Sequence, residues 1–174
     1  MSPADGRYGP PMLPDALTTP AAEIAEKLGA AGQTLAVAES SAGGLISASL
    51  LSVSGASRYY RGGFVTYTHD GTRAALADAT DLEPGDRGAC EQFARFLASA
   101  ARGKLSADWS VSETGASGPT GNRYGDPAGH AWVAVAGPDG LLRTEHILTG
   151  SDDRPANMEL FAVAALGLLL STLT

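Results

Sequence analysis

The sequence predicts one α/β domain in three layers, with helices packed on both faces of a mixed β-sheet. Three observations lead there. From residue 20 onward, apolar runs of strand length alternate with longer stretches of helical periodicity, as in sheets whose strands are joined by crossover helices. Two late apolar runs are separated only by Gly137-Pro138-Asp139-Gly140, a hairpin turn that demands an antiparallel pair. The chain has 174 residues, 44% hydrophobic and 18% charged, which suits a single globular domain with a sizeable core.

Each element has its own signal. Residues 1–17 hold four prolines and two glycines without periodicity, so an extended or disordered leader is expected there and the domain over 18–174. Thr19-Pro20 reads as an N-cap followed by proline at the first helical position; Ile24, Leu28 and Ala31 then share a face, and Gly32 ends the helix. Thr34–Ala38 is a short apolar strand that runs through Glu39-Ser40-Ser41-Ala42-Gly43-Gly44 into an apolar helix, Leu45–Leu51. Gly63–Tyr67 is a second strand. Residues 70–79 and 88–103 read as helices, the second striped by Phe93, Phe96, Leu97 and Ala100. Trp109–Thr114 is a third strand, followed by the Gly/Pro-rich loop 115–129, the hairpin strands His130–Val135 and Leu141–Leu148, and a closing helix from Pro155 to Leu173.

Composition narrows the function classes. A net charge of −7 and a pI near 4.8 leave no basic face for a phosphate backbone, so nucleic acid is not an expected partner. Cys90 is the one cysteine, which excludes an intrachain disulfide and a thiolate-rich metal site and fits a cytoplasmic setting. His69, His130 and His146 lack metal-ligand spacing, so neither metal nor cofactor is expected. The N-terminus has no apolar signal-peptide core. The longest apolar run, Leu160–Leu170, is too short for a bilayer and reads as a core helix, so no membrane partner is expected.

Three constellations can carry chemistry. The ESSAGG turn between strand and helix places backbone N–H groups where an anion could sit, although a plain glycine connection explains it equally well. Ser57 and Tyr67 bracket the second strand, but a serine needs a neighbouring base, and His69 is the only histidine near enough in sequence to be considered. Glu113 interrupts an apolar alternation, and Thr114–Gly118 follow at a strand's C-terminal end, where α/β sheets bind ligands. No P-loop and no G-x-G-x-x-G occurs.

Taken together, Ala38–Gly44, Gly55-Ala56-Ser57, Gly63–Thr72, Thr114–Pro119 and Asp126–Trp132 resemble, in one collinear order, the C-terminal domain family of CinA, the nicotinamide-nucleotide amidohydrolases. That family's pattern is AES-[CS]-TGG, a GSS turn, GFVTYSNEAK, [ST]-G-I-A-G-P-x-G-G and KPVGTVW. The resemblance implies an α/β/α homodimer or higher homo-oligomer that hydrolyses the carboxamide of a pyridine mononucleotide, NMN, without a metal. In that chemistry a serine attacks, a lysine takes its proton and a tyrosine assists. Carried over by motif, the serine falls on Ser57 and the tyrosine on Tyr67. Substrate contacts fall on Glu39, Ser40, Gly43, Gly44, Thr114, Gly115 and Gly118, with Arg154 as the family arginine. The lysine falls on Thr72, which cannot accept a proton near neutral pH. The neighbouring Arg73 stays protonated. An impaired amidohydrolase is therefore expected, or a silent nucleotide- or partner-binding homologue, with His69 as the substitute base to consider. Ala42, Ala116 and Asn122 also depart from the family pattern, and Arg123 and Tyr124 are positioned to alter what the loop admits.

Overall fold

A computed structural model describes residues 13–173. The elements run α1 (Asp15–Ala31), β1 (Leu35–Glu39), α2 (Leu45–Leu51), β2 (Tyr60–Val65), α3 (His69–Leu76), α4 (Glu91–Leu105), β3 (Trp109–Ala116), β4 (His130–Ala136), β5 (Leu142–Leu148) and α5 (Arg154–Thr172). The sheet order is β2-β1-β3-β4-β5. β1 pairs in parallel with β2 and β3, whereas β3–β4 and β4–β5 are antiparallel. The three-layer mixed-sheet expectation therefore holds.

The inner strand β1 shows why its sequence is apolar up to Glu39. Leu35 and Val37 of β1 face α1, α2 and α5. Ala36 and Ala38 face α4, and their small size leaves room for Phe93, Phe96 and Leu97. All five residues of β1 are buried, as a strand covered on both faces requires. β3 follows the same alternation with polar residues on the α4 side. Ser110 and Ser112 donate to the carbonyls of Ala98 and Ala94 at 2.6 and 2.7 Å, so their buried hydroxyls are satisfied. On the opposite face of β3 the positions are Val111 and Glu113.

Several boundaries differ from expectation: β2 spans Tyr60–Val65 rather than Gly63–Tyr67, so Tyr67 lies past its end, and α3 ends at Leu76 rather than at residue 79. The helix expected from Pro20 begins at Asp15, behind Pro14. Leu17 is completely buried in the core, and burying such a side chain is worth roughly 1.5–3 kcal/mol, enough to extend the helix past a proline that forfeits one backbone bond. Residues 13–17 are thus part of the fold and not of a leader; the rest of that leader lies outside the described residues. α4 begins at Glu91 with Cys90 as N-cap, three residues later than expected. Gly32 ends α1 as expected, at φ +63°, with the Gln33 amide bonded to Leu28 O at 2.9 Å. The run Leu160–Leu170 lies in α5, with Phe161, Ala162, Ala165, Leu166 and Leu169 facing the core.

Candidate functional site

The parallel strands point their C-terminal ends the same way, and residues just past those ends meet. β1 delivers Ser40, β2 delivers Thr66 and Tyr67, and β3 delivers Thr114 and Gly115 to the wall of a cleft of about 560 Å³. Ends of parallel strands are where backbone pairing stops and side chains converge. Helix α3 adds His69 and Thr72, and the loop after β3 adds Arg123 and Tyr124.

Two buried carboxylates shape the turn that carries Ser40. Glu39, the last residue of β1, accepts from the Gly44 and Ile46 amides at 2.9 and 3.1 Å through Oε2. Its Oε1 accepts from the Ser47 amide and hydroxyl at 3.0 and 2.7 Å. A negative charge thus sits on the N-terminus of α2, where free N–H groups and the helix dipole favour it. Glu113, facing the turn from β3, accepts from the Ser40 and Ala42 amides at 3.1 and 2.7 Å and from the Ser41 hydroxyl. Both carboxylates are fully buried. Burial pushes Glu113 up from 4.5 to about 7, and the charge of Glu39 adds to the rise. The bonds from Ser41, Ala42 and Ser40 pull the other way.

This architecture corrects three expectations. Glu39 is not available to a substrate, because both of its oxygens are spent on α2. The anion that the ESSAGG turn was expected to attract is supplied from within, by that same side chain. Gly43 and Gly44 do not line the cleft. The Gly43 amide bonds Ser40 O at 3.2 Å and the Gly44 amide bonds Glu39. Gly43 is required for another reason: at φ +67° its missing Cβ would lie 2.8 Å from Met158 Cε.

Tyr67 stands exposed at the rim, and Arg154 ties it to the loop. Arg154 Nη2 donates to Tyr67 Oη at 2.8 Å and Nη1 donates to Gly118 O at 2.7 Å. Gly118 touches the site only through this bond and does not line the cleft. Thr114 accepts from the Ala89 amide at 3.2 Å and so holds the segment before α4 as a wall. Across the cleft His69 Nε2 lies 3.1 Å from Tyr124 Oη, which also accepts from Arg123 Nη2 at 2.8 Å. Thr72 is buried in the cleft wall, and its hydroxyl donates to Thr68 O at 3.0 Å.

Ser57 is elsewhere. It lies in a short 3-10 turn, Ala56–Arg58, before β2 begins. Tyr60 pairs with Leu35 at the start of β1 and Val65 with Glu39 at its end, so the length of β2 separates Ser57 from the cleft. At about 3.3 Å per residue that is roughly 16 Å. The GSS-like motif located a serine, but the parallel run of β2 puts that serine at the wrong end of the sheet. Ser40 is the one serine lining the cleft among the described residues, and its hydroxyl has no hydrogen-bond partner among them.

Two residues escaped the sequence reading in their actual roles. Glu113 stood out as a carboxylate in an apolar strand, but the partner it grips is set by β1–β3 pairing. Thr66 gave no signal; it is buried at the cleft, and its Oγ1 has no hydrogen-bond partner among the described residues.

Comparison with known proteins gives the family and supports the fold. A family model described as the CinA C-terminal domain matches residues 17–173. A CinA-like protein from Gloeobacter violaceus is 40% identical over 121 residues, 69% of this chain and 28% of that protein. Another, from Anaeromyxobacter, is 34% identical over 149 residues, 86% of this chain and 36% of that protein. The chain therefore spans about a third of the length of these curated relatives. Among solved structures, the competence/damage inducible protein CihA from Agrobacterium tumefaciens superposes with a TM-score of 0.84 at 28% identity, covering 93% of this chain and 98% of that one. A CinA superfamily protein from Escherichia coli gives 0.82 at 26% identity, covering 99% of both chains.

Proposed function

Because the chain belongs to the CinA C-terminal domain family, we propose that its cleft binds a pyridine mononucleotide and hydrolyses the carboxamide slowly, with Ser40 as the nucleophile. One observation carries this reading: Ser40, Tyr67 and Thr114 meet in one cleft at the ends of three parallel strands. Ser40 sits on a strand-to-helix turn. The next amide, that of Ser41, has no acceptor among the described residues, but Ser41 is buried and does not line the cleft, so no oxyanion donor is assigned to it. The Ser40 hydroxyl adds to the amide carbon and gives up its proton; ammonia leaves with a proton, and water hydrolyses the resulting ester to the carboxylate. Phosphate recognition falls to guanidinium groups, Arg154 at the rim and Arg123 in the loop, since the amides of Ser40, Ala42, Gly43 and Gly44 are engaged within the turn.

Slowness follows from Thr72. Its hydroxyl is not a base, and loss of general-base assistance costs roughly 10²–10⁴ in rate. His69 is the imidazole lining the cleft among the described residues and the group left to accept the serine proton. A silent nucleotide-binding homologue is the second reading, favoured by the same Thr72. Ammonia release from nicotinamide mononucleotide, measured beside calorimetric binding, tests both. Slow release abolished by Ser40→Ala and unaffected by Ser57→Ala is expected. Binding without release in the parent chain would select the silent homologue, and release that survives Ser40→Ala would refute the assignment.

A further inference from the structure

Glu113 is buried, grips the backbone of the one serine that lines the cleft among the described residues, and has no part in the chemistry described so far. Oε2 takes the amides of Ser40 and Ala42, and Oε1 takes the Ser41 hydroxyl, so three consecutive residues of the turn hang on one carboxyl group. We propose that Glu113 is a positioning residue, whose ionised carboxylate holds Ser40 in the cleft and whose protonation loosens it.

The hydrogen-bond chemistry gives the two states. In the ionised form all three donors point at the carboxylate, and such charge-assisted bonds are about twice as strong as neutral ones. When a proton binds Oε1, the carboxyl becomes the donor and the Ser41 hydroxyl must turn to accept. Oε2 then serves the Ser40 and Ala42 amides as a neutral carbonyl. The turn is therefore held by three strong bonds in one state and by weaker, partly reversed bonds in the other. Burial and the nearby Glu39 charge bring the exchange between them to about pH 7.

The surrounding elements leave Glu39 as the ionisable group acting on Glu113. α2 carries no charged residue. On α5, Arg154 points to Gly118 O and Tyr67 Oη, and Glu159 is half-buried. Asp15, Glu23, Glu26 and Lys27 of α1 are solvent-exposed. His130 of β4 directs its ring at the Ala89 carbonyl, 2.7 Å away.

This inference deepens the proposed function, since Ser40 is the serine of that site, but its test needs no turnover. The amide signals of Ser40 and Ala42 and the Cβ signal of Ser40 are followed by NMR from pH 5 to 9 in the full chain. All three are expected to titrate together with a midpoint near 7, and to stay flat in Glu113→Gln, which mimics the protonated carboxyl. A flat Ser40 Cβ signal in the parent chain overturns the inference whether or not the variant folds, as does a Ser40 titration that persists in Glu113→Gln. Nicotinamide mononucleotide affinity at pH 6 and 8 is measured on the same samples. Tighter binding at pH 8 that disappears in Glu113→Gln supports the inference. Titrating Ser40 signals with no nucleotide binding at either pH also support it, while counting against the proposed function.

Discussion

Glutamine at position 113 should make the fold more stable, and increasingly so as pH rises. In the folded chain burial raises the Glu113 carboxyl from 4.5 to about 7, with the Glu39 charge adding to the effect. The folded state therefore binds this proton more tightly than the unfolded state does. Its contribution is fully present below 4.5 and is lost as pH rises through about 7. Over that interval, at about 1.4 kcal/mol per pH unit, the loss sums to about 3 kcal/mol. Glutamine cannot ionise. Its Oε1 can accept from the Ser40 and Ala42 amides while its Nε2 donates to the Ser41 hydroxyl. Carboxylates held low act alike in both proteins and cancel in the comparison; Asp108, which the Thr34 hydroxyl and amide stabilise, is one. Urea unfolding of parent and Glu113→Gln at pH 4, 6 and 8 reads the difference. The advantage of the variant should grow by about 3 kcal/mol between pH 4 and 8 and level off above about 7. A difference independent of pH, or one that favours the parent at pH 8, would refute the reasoning. Stability and Ser40 placement thus respond to pH in opposite directions, a compromise familiar where a site keeps a buried charge.

Further outcomes follow from the same contacts. Glu39→Ala should destabilise the chain by about 3 kcal/mol or more, because the buried Ile46 amide and the part-buried Gly44 and Ser47 amides at the start of α2 lose their acceptor at about 1–3 kcal/mol each; thermal unfolding measures it. Arg154→Ala should weaken mononucleotide binding about tenfold or more by calorimetry and free Tyr67 and Gly118 from their shared tether; unchanged affinity would remove Arg154 from phosphate recognition. Gly43→Ala should cost about 1–3 kcal/mol in urea unfolding, since the turn needs φ +67° and Met158 occupies the space of a Cβ.

The sheet was legible in the sequence because its inner strands are covered on both faces. Leu35–Ala38 and Ala131–Ala136 had to be apolar throughout, and the ends of these two strands came within about one residue, whereas β2 begins three residues earlier than expected. The start of α1 was misread because Pro20 has the local signature of a first helical residue, whereas the burial of Leu17 decided the matter. Tyr67, Thr114 and Gly115 line one cleft because they sit at or just past strand ends, a position that sequence pattern marks. Ser57 failed for a topological reason: its motif lies before a strand that runs parallel to β1, so it faces the far end of the sheet. Glu39 and Glu113 illustrate a different limit. A carboxylate beside a glycine turn reads as a ligand contact until the fold shows that the turn's own amides consume it.

We propose that the cleft keeps an amidase layout around Ser40 and that its rate is limited by the want of an effective base at position 72. Thr72 lies in the cleft wall with its hydroxyl turned back to Thr68 O, so a longer side chain at that position can enter the cleft. A lysine there would be partly desolvated, which disfavours its charged form and makes it a proton acceptor. The most direct measurement is ammonia release from nicotinamide mononucleotide by Thr72→Lys beside the parent chain. The expected result is an increase of roughly 10²–10⁴, abolished by adding Ser40→Ala and untouched by adding Ser57→Ala. No increase in a folded, nucleotide-binding Thr72→Lys, or an increase that survives Ser40→Ala, would contradict it.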